Sequence, residues 1–303
     1  MSTLRIRLFG SFALERDGQS LPRFPSRKVR DLLAYLALNR HTTFSREHLA
    51  GLFWGDFDDE KARHSLNTAL WRLNGVLAAR DGERGRGYLR VTAQEIGMSS
   101  TADVWVDVAE FESRCSLAQR AETPQARAAL ETQAVSFYTG DLLADCYEDW
   151  CDLERERLRC LYLGALGRLV SYHARRGEHE SAIQYARRLL ACDSLREEVH
   201  RELIELYLSA GQPAAALRQY RQCEDLLRRE LAVAPARETQ ALLARILASQ
   251  HQRPSAPTPV PSPTGSSRLA DIAHELAATI ALVQDAVAAC NQMQARLSEL
   301  VTL

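Results

Sequence analysis

The sequence lacks the features of membrane-spanning and disulfide-stabilised proteins. In its 303 residues no apolar run approaches the roughly 18 residues that a membrane-spanning helix needs, and the opening MSTLRIRLFG contains no apolar signal core. Its cysteines are Cys115, Cys146, Cys151, Cys160, Cys192, Cys223 and Cys290. They form no CxxC pair, and no histidine lies at zinc-finger spacing from two of them. We therefore expect a cytoplasmic protein with reduced thiols, no membrane partner, no metal and no other cofactor.

The common catalytic motifs are also missing. The sequence contains no GxxxxGK[ST] phosphate loop, no GxSxG nucleophile elbow and no HExxH zinc motif. The acidic triplet Asp58–Glu60 lies where a helix is expected to begin, and the helix dipole stabilises carboxylates at that end. Neighbouring side chains of this triplet point about 100° apart around the helix, which does not suit paired acid–base catalysis. We predict that the protein is not an enzyme.

Charge is distributed unevenly along the chain. The net charge is −1, yet residues 1–100 contain 16 lysines and arginines against 11 aspartates and glutamates. An excess of positive charge in one part of a near-neutral protein favours a local anionic partner such as nucleic acid.

The first hundred residues have the pattern of a winged helix. Apolar and polar residues alternate within Leu4–Glu15, and a turn at Asp17-Gly18 follows, which predicts short antiparallel strands. Two of three predicted helices begin after typical N-cap residues, Ser26 and Ser45. The helices are PSRKVRDLLAYLAL, SREHLAGLFW and KARHSLNTALWRLNGVL. A strand-like YLRV segment then closes a hairpin, so we predict an α+β winged helix-turn-helix domain over residues 1–100.

The third predicted helix has two distinct faces. At about 100° per residue, its apolar side chains gather on one side. The residues expected to be buried are Ala62, Leu66, Ala69, Leu70, Leu73, Val76 and Leu77. The opposite face carries Lys61, His64, Thr68, Trp71, Arg72 and Gly75. An aromatic flanked by a hydroxyl and a guanidinium indicates a docking surface; the alternative is that Trp71 is partly buried against the helical region that follows.

From about Val104 to Gln250 the pattern is helical almost without interruption. Gly177 and Gly211 lie 34 residues apart, and so do Ala182 and Ala216. Each glycine is expected to close one helix and each alanine to open the next, at the spacing of tetratricopeptide (TPR) repeats. We predict a mainly α protein with a TPR-like all-α domain over residues 104–250.

The rest of the chain divides into a linker and an amphipathic helix. Residues 251–267 are rich in Pro, Ser and Thr, which predicts an extended linker. Apolar residues then repeat every seven positions over 268–303, which predicts a heptad helix and a homo-oligomer; the alternative is a helix that folds back on the body. The residues expected at the oligomer contact are Leu269, Leu276, Ile280, Val283, Val287, Leu297 and Val301.

Several long segments resemble a known family of regulators. SRKVRDLLAYLALNRHTTFSREHLAGLFWGD, ARHSLNTALWRLNGVL and GYLRV resemble the OmpR-type winged helix, in the version found in Streptomyces antibiotic regulatory proteins. DVAEFE, YTGDLLAD, DWCDLERERL, HRELIELYLSAG and ALRQYRQCEDLLRRELAVAPARET resemble the bacterial transcriptional activator domain of that family. The resemblance covers roughly residues 4–247 and does not extend to the linker or the heptads.

The resemblance implies a mode of DNA binding. In that fold the third helix enters the major groove, and its outer face reads base edges. The base-reading residues would be Asn67, Thr68, Trp71, Arg72 and Asn74. The phosphate and wing contacts would be Arg27, Lys28, Arg46, Arg63, Arg84 and Arg86, the last two on a wing tip formed by RDGERGRGY. The sequence departs from the family at Trp71, where basic or small residues are usual, and at Asn74, where arginine is common.

The resemblance also implies the function and the partners. It indicates a bacterial, sequence-specific transcriptional activator that binds direct repeats in promoter DNA, is associated with the nucleoid when bound, and recruits RNA polymerase with its sigma factor. The loop expected to contact polymerase contains Trp54, Asp56, Phe57, Asp58, Asp59 and Glu60. Two alternatives stay open: a regulator gated by a small molecule or peptide bound to the helical repeats, and an interaction scaffold whose winged helix does not bind DNA.

Overall fold

Helices dominate the structure, as the sequence predicts. The computed structural model describes residues 3–78 and 87–251, and across these it contains seven strands and ten α-helices. The strands are β1 Leu4–Arg7, β2 Ala13–Arg16, β3 Gln19–Ser20, β4 Thr43–Ser45, β5 Leu89–Val91, β6 Glu95–Met98 and β7 Val104–Val106. The helices are α1 Arg27–Leu38, α2 Arg46–Trp54, α3 Asp59–Ala78, α4 Asp107–Arg120, α5 Pro124–Phe137, α6 Asp149–Arg175, α7 His179–Cys192, α8 Glu197–Ser209, α9 Pro213–Leu226 and α10 Arg237–His251.

The N-terminal sheet contains one strand that the sequence pattern did not predict. Its order is β3-β2-β1-β7, with β1 antiparallel to β2 and parallel to β7. Asp17 and Gly18 both have positive φ (48° and 78°), the geometry of a tight hairpin turn between β2 and β3. The expectation of helix from Val104 onward is wrong for the first three residues. The β-branched and aromatic triplet Val104–Val106 pairs with β1 instead, and α4 begins at Asp107.

Two of the three helices of the winged helix begin where their capping residues predict. The Ser26 and Ser45 hydroxyls accept hydrogen bonds from backbone N–H groups of α1 and α2. The Asp58 carboxylate accepts one from the Lys61 N–H (2.9 Å) at the start of α3. All seven residues expected on the buried face of α3 are buried, and no other residue of this helix is. The predicted closing hairpin is present as β5 and β6, and β4, which the sequence pattern did not predict, joins it in a second sheet of order β4-β6-β5.

The helical region shows the expected 34-residue spacing in its turns and contacts. Gly177 and Gly211 have positive φ (72° and 69°) and follow the ends of α6 and α8. Ala182 of α7 and Ala216 of α9 are fully buried, because a small side chain lets paired helices approach closely. The TPR-like arrangement is therefore present in these two helix pairs.

A buried carboxylate joins the first strand to the first helix of this region. Asp107, the first residue of α4, accepts hydrogen bonds from the N–H groups of Leu8 (2.9 Å to Oδ1), Phe9 (3.0 Å to Oδ2) and Val108 (2.8 Å to Oδ1). Burial raises the pKa of this carboxyl, and the amide hydrogen bonds oppose that rise. The described residues up to Gln250 accordingly belong to one compact unit.

Aromatic rings and an ion pair connect the same two regions at a second place. The Trp150 ring, at the start of α6, lies 5.2 Å from the Tyr35 ring of α1 and 6.2 Å from the Phe53 ring of α2. Arg30 of α1 forms an ion pair with Asp145, in the segment before α6. The winged helix and the helical region are thus held together by contacts far apart in sequence.

Three further predictions from the sequence concern membrane spans, the cysteines and the C-terminal oligomer contact. Among the described residues, no helix is long and apolar enough to cross a membrane. The cysteines within the described ranges are free. The linker and the heptad residues Leu269, Leu276, Ile280, Val283, Val287, Leu297 and Val301 lie outside those ranges, and the predicted oligomer stays a prediction.

Replacing the buried carboxylate should destabilise the whole unit. Asp107→Asn leaves one acceptor oxygen and points an NH2 group at backbone N–H groups, so at least one buried donor loses its partner. We expect the free energy of unfolding to fall by about 1–3 kcal/mol, measured by urea denaturation followed by circular dichroism. The exposed Asp103→Asn is the control, with a change within about 0.5 kcal/mol. Equal midpoints for both variants would show that Asp107 is not a structural link.

Candidate nucleic-acid interface

The outer face of α3 is open to solvent around an aromatic and a cation. The Trp71 side chain is 76% exposed, although the helix buries seven residues on its other side. Arg72 is also exposed and has no hydrogen-bond or ion-pair partner among the described residues. Thr68 and Asn74 are half-buried at the margins of this face. The alternative that Trp71 packs against the helical region is therefore wrong.

Trp71 and Arg72 lie beside a groove that other elements complete. Its wall opposite α3 is formed by Leu89 and Val91 of β5, together with the segment Pro22–Pro25 that precedes α1. The groove has a volume of about 810 Å³ and is lined mainly by apolar surface. Such a surface, with the exposed Arg72 guanidinium at its edge, can receive an apolar group and pair with an acceptor next to it.

Asn67 is held by a neighbouring helix. The Arg46 Nη2 group, at the start of α2, donates a hydrogen bond to Asn67 Oδ1 at 3.2 Å. The Asn67 side chain is exposed, so its amide NH2 group faces outward. Arg46, expected at phosphate, thus orients a base-reading candidate in the unbound protein. The sequence could not reveal this contact because it joins residues 21 positions apart.

The basic residues expected at phosphates divide into exposed and engaged ones. Arg27 is exposed, and Arg63 is exposed beside Glu47, with a nitrogen–oxygen distance of 3.8 Å. Lys28 is not available, which corrects the prediction: its ammonium donates to the Phe53 carbonyl and lies 5.9 Å from the centre of the Trp54 ring. It therefore caps the C-terminal end of α2.

The described hairpin has an uncharged turn. The turn that joins β5 to β6 is formed by Thr92, Ala93 and Gln94, where the Thr92 hydroxyl accepts from the Glu95 N–H (2.9 Å). This turn carries no basic residue. Arg84 and Arg86 lie outside the described residues, so their role stays a prediction.

Sequence reasoning missed two basic residues near this interface. Arg90 is exposed on β5, and Arg23 is exposed in the segment before α1, where it lines the groove. The strand alternation that buries Leu89 also turns Arg90 outward, so the YLRV pattern contained a signal for it. No local pattern marks Arg23, because its position depends on packing between distant segments.

The loop between α2 and α3 presents acidic groups and one aromatic. Asp56 and Asp58 of the loop are exposed, as are Asp59 and Glu60 in the first turn of α3. Phe57 is 42% exposed, with the Lys61 ammonium 4.2 Å from its ring centre. Trp54 is only 8% exposed, which corrects its place among the contact residues. Its ring belongs to the core beside Phe53.

The helical region matches a known domain. The model of the bacterial transcriptional activator domain matches residues 106–247. For this region the match confirms the resemblance stated from the sequence. No curated protein matches the sequence. Among the described residues, no group of three or more His, Cys, Asp or Glu side chains could hold a metal ion.

One solved structure supports the same fold. Mycobacterium tuberculosis EmbR, determined in complex with a low-affinity phosphopeptide, is similar with a TM-score of 0.64 at 21% identity, over 82% of this chain and 66% of that chain. At this identity the similarity shows the fold alone, and this chain spans slightly less than two thirds of the EmbR structure. A thermophilic TPR protein of Thermus thermophilus covers 74% of this chain and 97% of its own at 18% identity, but its TM-score of 0.24 carries no argument.

Two adjacent basic residues should respond differently to replacement. Lys28→Ala removes a charge-assisted hydrogen bond to the end of α2, so we expect the free energy of unfolding to fall by about 1–2 kcal/mol. Arg27→Ala is the matched control and should change it by less than about 0.5 kcal/mol, because Arg27 is exposed. Urea denaturation measures both, and an unchanged midpoint for Lys28→Ala would contradict its structural role.

Proposed function

We propose that the protein is a sequence-specific DNA-binding transcriptional activator whose third helix reads the major groove. The observation that carries this proposal is the outer face of α3, where Trp71 is exposed beside the unpaired Arg72. An exposed tryptophan on the outer face of a helix whose other face is buried needs a partner surface, and the winged-helix position of α3 suits DNA. Two or more copies would bind direct repeats in a promoter.

The side chains of this face suit particular base edges. Arg72 can form a bidentate pair with guanine, because its guanidinium has no other partner among the described residues. Trp71 and the Thr68 methyl can contact a thymine methyl, and the outward amide of Asn67 can pair with adenine. Each such contact contributes about 1–3 kcal/mol of discrimination between bases.

Phosphate contacts would come from basic residues around α3. Arg27, Arg63 and Arg90 are exposed on three different elements, α1, α3 and β5. Cations on separate elements can meet the phosphates on both sides of a groove and fix the orientation of the reading helix. Because the turn between β5 and β6 is uncharged, Arg90 is the exposed cation of the described hairpin.

RNA polymerase with its sigma factor is the proposed second partner. The loop between α2 and α3 carries Asp56 and Phe57 in exposed positions at one end of the reading helix. Carboxylates repel DNA phosphates, so this loop suits a protein partner with basic groups rather than DNA itself. Asp58 has a structural role as well, since it caps α3.

Selection of bound duplexes from a random DNA pool tests the reading helix. We expect a repeated motif to be enriched by the wild-type protein and lost with the double variant Trp71→Ala, Arg72→Ala. The control is Tyr147→Ala, which removes an equally exposed aromatic (79%) from the helical region and should select the wild-type motif. If the folded wild-type protein enriches nothing at low salt, α3 does not read DNA and the scaffold alternative is favoured.

Transcription in vitro from a selected site tests the loop. The double variant Asp56→Asn, Phe57→Ala should bind the site with wild-type affinity and lose activation, because it changes the protein contact and leaves the reading face intact. Asp103→Asn, an exposed carboxylate outside the loop, should activate normally. Full activation by the loop variant would overturn the assignment of polymerase contact to this loop.

A further inference from the structure

A second cavity lies between α5 and α6, in the helical region and not on the reading face. Its volume of about 560 Å³ lies within the range of small-molecule sites. The lining residues that matter are Arg127, Glu131, Gly164, Arg168, Tyr172 and Arg175. None of these belongs to α3, to the wing or to the α2–α3 loop, so the DNA-binding proposal does not account for the cavity.

The cavity is strongly basic. Four arginines line it against one acidic residue, Glu131. Glu131 is only 2% exposed and forms an ion pair with Arg168, which neutralises the one negative charge of the lining. Arg176 is paired with Glu178 (2.7 Å). Positive charge therefore remains on the lining after its internal ion pairs are counted.

Two of the arginines have no carboxylate partner among the described residues. The Arg127 Nε group donates a hydrogen bond to the Ala118 carbonyl (3.3 Å), which orients the guanidinium while its terminal nitrogens remain available. Arg175 is exposed at the end of α6. Guanidinium groups bind phosphate oxygens through paired N–H donors, so this pair suits a phosphate group.

A glycine in the middle of α6 keeps the cavity open. Glycine costs about 1 kcal/mol relative to alanine within a helix, yet Gly164 is not required for close backbone packing. A Cβ atom placed there would meet, within 4 Å, only the flexible end of Arg168, at 3.3 Å from Nη1. The missing side chain thus leaves space between the arginines and the Tyr172 ring. The Arg176 guanidinium lies over this ring, 5.6 Å from its centre.

We propose that this cavity binds a small phosphate-bearing molecule of about mononucleotide size. Arg127 and Arg175 hold the phosphate, and Tyr172 contacts the rest of the ligand. The sequence did not reveal such a cluster because Arg127 and Arg175 lie on different helices, 48 positions apart. The proposal gives the ligand-gated alternative a specific site, and it does not depend on what α3 binds.

Thermal denaturation of the full chain with ADP or adenosine tests the site. Because a ligand that binds the folded state stabilises it, we expect millimolar ADP to raise the melting temperature by about 3–5 °C. Adenosine, which lacks the phosphates, should give no shift. Arg175→Glu and Gly164→Leu should each abolish the ADP shift, one by reversing a charge and the other by filling the space.

The control is Arg221→Glu, an exposed arginine on α9 outside the cavity, which should keep the full ADP shift. The absence of a shift with ADP, an equal shift with adenosine, or an undiminished shift in Arg175→Glu would overturn the proposal. Binding of the selected DNA by Arg175→Glu should match the wild type. That measurement separates failure of this site from failure of the reading helix.

Discussion

The carboxylate of Asp107 is the interaction on which the arrangement of this chain depends. It collects the N–H groups at the end of β1 and at the start of α4, where water cannot reach them. Separating β1 from α4 would leave these N–H groups without their acceptor, and an unpartnered buried N–H destabilises a fold. The strand and the helix therefore stabilise each other. The parallel pairing of β7 with β1 and the Trp150 contacts extend the same junction. Winged helix and helical region therefore form one body.

Features set by neighbours in sequence could be predicted from the sequence. The prediction of the buried face of α3 is correct at every position, because helical periodicity alone determines which side chains lie on one side. The caps Ser26 and Ser45 and the glycines Gly177 and Gly211 are local in the same sense. The resemblance of residues 106–247 to the bacterial transcriptional activator domain rests on such ordered segments as well.

The errors concern contacts between residues that are distant in sequence. Lys28 is predicted to be a free cation, because no neighbouring residue in the sequence indicates that the Phe53 carbonyl lies within its reach. Trp54 is predicted to belong to the contact loop, although it is the last residue of α2 and its ring lies in the core. The β7 strand is defined by its pairing with β1, because a strand of three residues is too short to give a recognisable sequence pattern. The cavity between α5 and α6 arises from packing in the same way.

The junction between the two regions has a geometric consequence for the proposed binding to repeated sites. A recognition helix on a flexible tether could follow its half-site around the duplex, whereas one fixed to its own helical region cannot. In two copies that touch through those regions, the distance between the two recognition helices would be fixed. The centres of their half-sites must then differ by whole turns of the double helix, about 10–10.5 base pairs each. Insertion of half a turn would place the second copy on the opposite side of the DNA.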